Sequence, residues 1–250
     1  YVGQSDSAIV RNNKGAGNVA GCEIENTTNA EVYDNEFYNN TAGVLVFDLP
    51  DLSQRGGHVK VFQNNIYDNN LRNFAKAGSF GTTWGVGNAP PGSGVVVLAT
   101  SNVQIYNNQI INNNSGAIIL ASGFATDPKA ADKINDKYQP FSKNIRIHGN
   151  TIKMGNAFPE PVYEHHIGKL LVATNNELNK LFPDRKIKHI PAIIYDGFNS
   201  NLMDGGKSAN PDSLCIDQTG DNLFVNANFE KIADPAAWKP GIDMAPFICK

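Results

Sequence analysis

The sequence predicts an all-β solenoid in which each coil of a parallel β-helix takes about 22 residues. Three observations support this prediction. Asparagine makes up 33 of the 250 residues, and Asn, like Gly, adopts positive φ at low cost, so the backbone turns often and sharply. Asparagines also recur in register along the chain. Short runs with alternating apolar residues, typical of β-strands, lie between them.

The register is visible as three columns of residues. The main column has intervals of 22, 29, 44 and 42 residues, and its members are Asn13, Asn35, Asn64, Asn108 and Asn150. A second column lies five residues later, and a third lies six residues earlier and includes His58. Because parallel strands stack about 4.8 Å apart, amides in one column can hydrogen-bond along the solenoid as an Asn ladder. We interpret these asparagines as architecture rather than chemistry.

Each unit opens with a short strand, and alternation assigns its residues to the two faces. The residues predicted to point inward are Cys22, Ile24, Val44, Val46, Val95, Val97, Ala117, Ile119, Ala192 and Ile194. Those predicted to point outward are Glu23, Glu25, Leu45, Phe47, Val96, Leu98, Ile118, Leu120, Ile193 and Tyr195. An apolar outer stripe of this size is unusual in contact with water. We therefore expect inserted loops, a protein partner or a ligand to cover it.

Insertions interrupt the repeat and are candidates for that cover. They lie at 49–57, 71–92, 123–142 and 156–190. The last is predicted to be a helical insertion, because apolar residues recur at helical spacing between Glu164 and Phe182. We expect a single β-helix domain over 1–250 with a C-terminal tail at 230–250. These insertions either cap the apolar strand face or form the walls of a groove for an extended ligand.

Bulk properties exclude some classes of function. The net charge is −3 and the pI about 6.0, so no basic patch of the kind that binds nucleic acid is indicated. No apolar run approaches the roughly 18 residues of a membrane span. Among the cysteines, Cys22 is predicted to be a buried apolar side chain. Cys215 and Cys249 either form a disulfide that pins the tail to the last coil or remain free thiols.

The N-terminal half resembles a known group of proteins. Its most specific segments are Cys22–Thr27, Gly43–Pro50 and Asp68–Phe74. They resemble secreted bacterial right-handed parallel β-helix repeat proteins of the pectin-lyase-like, carbohydrate-binding and sugar-hydrolase superfamily, in a subgroup of unestablished function. The resemblance implies a right-handed coil and a secreted, periplasmic or cell-surface location. Since further coils precede the matching segment in that group, we expect N-terminal coils to be missing before Tyr1.

An acidic cluster is the main candidate for chemistry. Glu23 and Glu25 share one strand face, and Asp48 follows the next strand. With His58 they form the predicted catalytic set, because paired carboxylates can perform acid/base chemistry on a glycosidic bond. Asp48 and Asp51 are also candidates for a calcium site. The alternative is a solvated turn with local salt bridges.

Three further residues are candidates for substrate binding: Arg55 beside the acidic cluster, and Trp84 and Tyr195 as rings that stack on sugars. In a standard pectate-lyase-like site, acidic calcium ligands and a basic residue would occupy the outer strand face, which is apolar here in its middle coils. The first functional hypothesis is an exported carbohydrate-interacting protein that acts on a polysaccharide as a lyase, epimerase or hydrolase. The alternative is a non-enzymatic structural or adhesive surface protein, or a subunit of an extracellular assembly with a protein partner on the apolar face.

Overall fold

The computed structural model describes residues 1–76 and 85–249, and in it the chain winds into a solenoid with three parallel sheets. Sheet 1 contains β1 (Val2–Gly3), β4 (Ala20–Glu25), β7 (Ala42–Phe47), β10 (Ser93–Leu98), β13 (Gly116–Ala121), β16 (Ile193–Tyr195) and β18 (Phe224–Asn226). Sheet 2 contains β2 (Ile9–Arg11), β5 (Glu31–Tyr33), β8 (Val59–Phe62), β11 (Ser101–Tyr106), β14 (Lys143–His148) and β17 (Cys215–Asp217). Sheet 3 contains β3 (Lys14–Ala16), β6 (Glu36–Tyr38), β9 (Asn65–Tyr67), β12 (Gln109–Ile111) and β15 (Thr151–Lys153).

The predicted right-handed parallel β-helix is confirmed. In the first five coils, each coil adds one strand to each sheet, so strands three apart in the chain are hydrogen-bonded neighbours. Val44 lies beside Cys22 on one side and Val95 on the other. The interior between the sheets is apolar and closely packed, and Val97, Ile105 and Ile110 are fully buried there. Burial of these stacked apolar rows is the main stabilising contribution to the solenoid.

The Asn ladder is confirmed between sheets 2 and 3. Each Nδ2 donates to the Oδ1 of the next member at 2.9–3.0 Å, in the series Asn13, Asn35, Asn64, Asn108 and Asn150. Gln218 ends the series, because its Oε1 accepts from the backbone N–H of Asn150 at 2.9 Å. The residue before each ladder member has positive φ, as Asp34 and Gln63 do. The ladder therefore closes a tight turn whose polar groups would otherwise be buried without partners.

For two strands, β13 and β16, the prediction of which residues point inward and which point outward is wrong. Ile118 and Leu120 pair with Val95 and Val97 and point inward, while Ile119 and Ile194 point outward. One extra residue in the turn causes the shift. Asn40 and Asn113 are equivalent members of the second column. Only Thr41 separates Asn40 from Ala42, whereas Asn114 and Ser115 separate Asn113 from Gly116, although Ala42 and Gly116 both pair with Ser93. A one-residue slip exchanges the faces of a strand.

The insertions cover most of the outer face of sheet 1. The predicted helix is present as α1 (His166–Leu181), and it packs Leu171 and Leu178 against Ile119 and Ile194. A short helix, α2 (Asn201–Asp204), follows later in the chain. The 85–92 segment packs Ala89 against Leu45 and Phe47 at the other end of the face, and these residues are 7%, 5% and 7% exposed. Val96 and Leu98 at the centre stay only half-buried.

A disulfide between Cys215 and Cys249 fixes the C-terminal tail. Near it, Ile248 lies beside Ile216 as a parallel bridge. Phe247 packs against Tyr195 and Phe224, with ring centroids 5.8 and 5.1 Å apart. The tail therefore contributes to the apolar interior at the last coil. Cys22 is free and buried, as predicted. No helix in the described part of the chain is long and apolar enough to cross a membrane.

Candidate functional site

Glu23 and Glu25 lie together on the outer face of β4, as the alternation predicts. Their neighbours on β7 are Leu45 and Phe47, so the acidic pair adjoins the apolar part of the face. The hydroxyl of Tyr1 donates to Oε1 of Glu25 at 2.7 Å. Burial raises the pKa of Glu23, and the negative charge of Glu25 adds to the rise. The pair is thus a carboxylate couple in which one member holds its proton more strongly than usual.

Asp48, unlike this pair, is buried. Only 1% of its surface is exposed, and its Oδ2 accepts from the N–H of Gly56 at 3.0 Å, while Oδ1 is buried with no hydrogen-bond partner. Burial raises its pKa to about 7, although the Gly56 N–H and the charge of Arg55 oppose the rise. Arg55 itself donates to Ser101 at 3.0 Å. These contacts place Asp48 beneath the 49–57 turn, away from a substrate on the outer face.

The remaining predicted residues do not join the acidic pair. Asp51 is exposed in the 49–57 turn. His58 is exposed at the entry to sheet 2, where its Nε2 lies 3.5 Å from Nδ2 of Asn102. Among the described residues, no group of three or more His, Cys, Asp or Glu side chains is arranged to hold a metal ion. A calcium ion at Asp48 and Asp51 would therefore lack a third such ligand there.

The two predicted sugar-stacking rings have different outcomes. Tyr195 pairs with Leu120 in the shifted register and points into the interior. Its hydroxyl donates to the carbonyl of Phe198 at 2.9 Å, and only 8% of the residue is exposed. The prediction that its ring faces outward is wrong, because the slip that inverts β13 also inverts β16. Trp84 lies outside the described residues.

Among the residues that the structure describes, a groove remains open on the outer face of sheet 1, and we call it the apolar groove. Its floor is formed by Leu45, Phe47, Val96, Leu98, Ile119 and Ile194. Val86 and Ala89 form one wall, and Ile167 and Leu171 of α1 contribute to another. The groove has a volume of about 830 Å³, including the solvent at its mouth.

Two histidines link walls of the apolar groove. Nε2 of His165 lies 3.0 Å from the carbonyl oxygen of Gly87, and Nε2 of His166 lies 2.8 Å from Oδ1 of Asn88. Nδ1 of His165 accepts from the N–H of Gly168, so His165 donates through Nε2–H as a neutral imidazole. Burial lowers the pKa of both histidines. The contacts hold the start of α1 against the 85–92 segment.

Asp196 is the charged residue that lines the apolar groove. Because Tyr195 pairs with Leu120, Asp196 falls in the outward row that contains Phe47 and Leu98. Its Oδ2 accepts from the N–H and hydroxyl of Ser122 at 2.6 and 2.8 Å, and its Oδ1 from the N–H of Phe198 at 3.1 Å. Burial raises its pKa to about 7, against the effect of these donors.

A second candidate surface lies on the outer face of sheet 2, and we call it the polar face. Two rows of side chains line a shallow depression of about 580 Å³, and their members are His58, Asn102 and Asn144, and Lys60, Gln104 and Arg146. Lys60 pairs with Glu31 at 2.9 Å. Gln104 and Arg146 are exposed, and no hydrogen bond or ion pair is seen for them among the described residues. Successive members of each row lie on successive coils of the solenoid.

An aromatic stack borders the polar face. Its members are Tyr33, Phe62, Tyr106 and His148, with ring centroids 4.8–5.0 Å apart and nearly parallel planes. Because the rings cover one another's faces, they present mainly edges to solvent. The stack therefore stabilises the sheet and offers little ring face for stacking on a sugar.

A usable signal for the polar face is present in the sequence. Lys60, Gln104 and Arg146 each stand two residues after a member of the column that contains His58. Two residues along a strand return to the same face, so the row follows once the column is aligned. Asp196 offers no such signal, because its position depends on the slip before β13.

In its described residues, the chain is a right-handed parallel β-helix that carries the apolar groove and the polar face. The chain belongs to the family described as the right handed beta helix region, whose model matches residues 1–181. That membership is consistent with a carbohydrate-interacting protein or a surface protein. Comparison with curated proteins and with solved structures found no match.

Proposed function

We propose that this protein is an exported, non-catalytic glycan-binding protein that holds an anionic polysaccharide on the polar face of sheet 2. The observation that carries the proposal is the row of Lys60, Gln104 and Arg146, which presents one long polar side chain per coil. Parallel strands are about 4.8 Å apart, so the two cations are separated by about 10 Å across two coil steps. A chain with regularly repeated acidic groups suits this linear arrangement.

Specific chemical features support an acidic glycan. Arg146 offers a planar set of donors that matches a carboxylate in a bidentate arrangement. Gln104 and Asn144 are exposed amides that can donate to and accept from hydroxyl groups. The Cys215–Cys249 disulfide supports export, because disulfides persist in oxidising compartments.

Binding is favoured over catalysis by the dispersal of the predicted catalytic set. Asp48 is buried under a turn, and His58 lies on another sheet. Only Glu23 and Glu25 share a face, and Tyr1 occupies one oxygen of Glu25. An assembly partner on the apolar stripe has less support than the sequence suggests, since α1 and the 85–92 segment cover most of that stripe.

Titration with polygalacturonate, alginate and a neutral glucan tests the proposal. We expect the acidic polymers to bind, and to bind more weakly as salt rises, because exposed charges are screened. Arg146→Ala should weaken binding about fivefold, the scale of a roughly 1 kcal/mol exposed ion pair. Lys153→Ala is the matched control, since it removes an exposed cation from a strand of sheet 3. Equal loss in both variants would show that only net charge matters and would contradict the proposal.

The same polymers test catalysis when they are assayed for new chain ends. Cleavage by the wild type that is lost in Glu23→Gln and Glu25→Gln would replace binding by an enzymatic function at the acidic pair. Absence of cleavage, together with the Arg146 effect, is the result that we expect.

A further inference from the structure

The apolar groove is a second site, on a different sheet from the polar face. It is not simply a gap in the cover of sheet 1, because its walls come from three separate parts of the chain: the 85–92 segment, the 123–126 segment and α1. Its floor extends from β7 to β16, which is three strand steps or about 14 Å. The groove is therefore elongated along the solenoid axis.

We propose that the apolar groove binds a single aliphatic chain whose head group, an uncharged hydroxyl or a cationic amine, lies at Asp196. This site is independent of the proposed glycan site.

The lining determines the class of ligand. The floor is made of aliphatic side chains and Phe47. A sugar would leave its hydroxyl groups without partners there, and each buried unpaired polar group costs free energy. An aliphatic chain has no such groups and gains from every methylene that leaves water.

The shape of the groove favours a small ligand over a protein. A stable protein interface buries about 800 Å² on each partner and is broad, whereas this opening is flanked by loops and α1. Small-molecule sites are concave and mostly apolar, with few polar groups that fix orientation. The apolar groove has these properties, because Asp196 is the charged side chain in a lining that is otherwise mostly apolar.

Asp196 determines the head group. Its Oδ2 accepts two hydrogen bonds and its Oδ1 accepts one, so Oδ1 can accept another from a ligand O–H or N–H. Only 3% of Asp196 is exposed. A ligand carboxylate placed beside it would meet like charge in an apolar site, which is unfavourable. Alcohols and amines should therefore bind better than fatty acids of equal length.

A chain-length series tests the site. We expect the affinity of 1-alkanols from hexanol to decanol, measured by calorimetry, to rise about fourfold per methylene, the value that follows from about 0.8 kcal/mol. At about pH 8, decanol and decylamine should bind at least about tenfold more tightly than decanoate, because both can donate to Asp196 whereas a carboxylate cannot. Asp196→Asn should reduce that preference to less than about threefold.

Two groove variants keep the test informative if Asp196→Asn does not fold. Val96→Phe places a larger side chain on the half-buried centre of the floor and should abolish decanol binding. Gln109→Phe is the matched control, because it adds a ring at an exposed outer position of strand β12 in sheet 3, and it should leave decanol binding unchanged. Unchanged binding in Val96→Phe, or affinity independent of chain length, would overturn the proposal.

Sedimentation velocity tests whether a second copy of the chain, rather than an aliphatic ligand, occupies the groove. A wild-type dimer that dissociates in Val96→Phe would assign the groove to a second copy of the chain and would also overturn the proposal. Polygalacturonate binding should be unaffected by Val96→Phe, so the two sites can fail separately.

Discussion

At the scale of single residues, two buried carboxylates differ from the rest of the chain. Asp48 and Asp196 are 1% and 3% exposed, and burial raises the pKa of each to about 7. A buried ionised carboxylate is costly unless it is paired or strongly hydrogen-bonded. Asp196 accepts three hydrogen bonds, whereas Asp48 accepts one from the Gly56 N–H and has the Thr100 hydroxyl as its other favourable neighbour. Asp48 is therefore the less well compensated of the two.

The raised pKa of Asp48 predicts how the stability of the fold depends on pH. The folded state keeps a proton that the unfolded state releases near the ordinary value of 3.8. The stability that this group contributes is thus complete below that value and is lost as pH rises through about 7. Ionisation costs up to about 4 kcal/mol at full burial. We expect Asp48→Asn to be more stable than the wild type at about pH 8 and similar at about pH 4.

Urea unfolding at the two pH values measures this difference. Asp51→Asn is the control, because it makes the same carboxylate-to-amide change at an exposed position of the same turn. If Asp48→Asn destabilised the protein equally at both values, the carboxylate would be ionised and compensated in the fold, contrary to this account.

At the scale of elements, the turn between sheets 2 and 3 depends on side chains as much as on backbone. In Asn108, Nδ2 donates to the carbonyls of Val61 and Tyr106 and to Oδ1 of Asn150, at 2.9, 3.1 and 3.0 Å. Its Oδ1 accepts from the N–H and Nδ2 of Asn64, both at 3.0 Å. One amide thus satisfies groups from three successive coils, and the strand ends cannot separate without exposing them.

Removal of one ladder amide should therefore be costly. We expect Asn108→Ala to lower the free energy of unfolding by at least about 3 kcal/mol, since several buried groups lose partners that cost about 1–3 kcal/mol each. Chemical denaturation gives the value. Asn65→Ala, an exposed asparagine on β9, should change stability by less than about 0.5 kcal/mol. Similar effects of the two substitutions would contradict a structural role for the ladder.

At the scale of the whole molecule, the three sheets serve different purposes. Sheet 3 and the ladder are architectural, sheet 1 carries the apolar groove, and sheet 2 carries the polar face. The C-terminal tail stabilises the last coil, because Phe247 packs on Phe224 and the disulfide holds the tail beside Ile216.

The disulfide should contribute measurably to global stability. It closes a loop with a sequence separation of 34, for which the chain-entropy relation gives about 3–4 kcal/mol. We expect a reductant to lower the melting temperature of the wild type and to leave the Cys215→Ser/Cys249→Ser variant unchanged. Cys22→Ala, which keeps the disulfide, should retain the sensitivity to reductant. A wild type insensitive to complete reduction would contradict a stabilising role for the pinned tail.

The acidic pair shows which parts of the candidate site the local sequence pattern can predict. Glu23 and Glu25 share a face because they are two apart on one strand, and the sequence predicts that placement correctly. The structure separates Asp48 and His58 from the acidic pair where loops intervene, since no local rule shows that the 49–57 turn folds over Asp48 or that His58 enters a different sheet.

The sequence by itself determined the solenoid, its coil length, the Asn ladder, the dry interior and the helical insertion, because each follows from spacing along one strand, turn or helix. Only the tertiary structure decided which residues of β13 and β16 face outward, since a single extra residue before Gly116 shifts the register. That slip moves Tyr195 into the core and Asp196 into the apolar groove. The groove itself depends on how separate insertions pack over one sheet, which is set by three-dimensional contact rather than by periodicity.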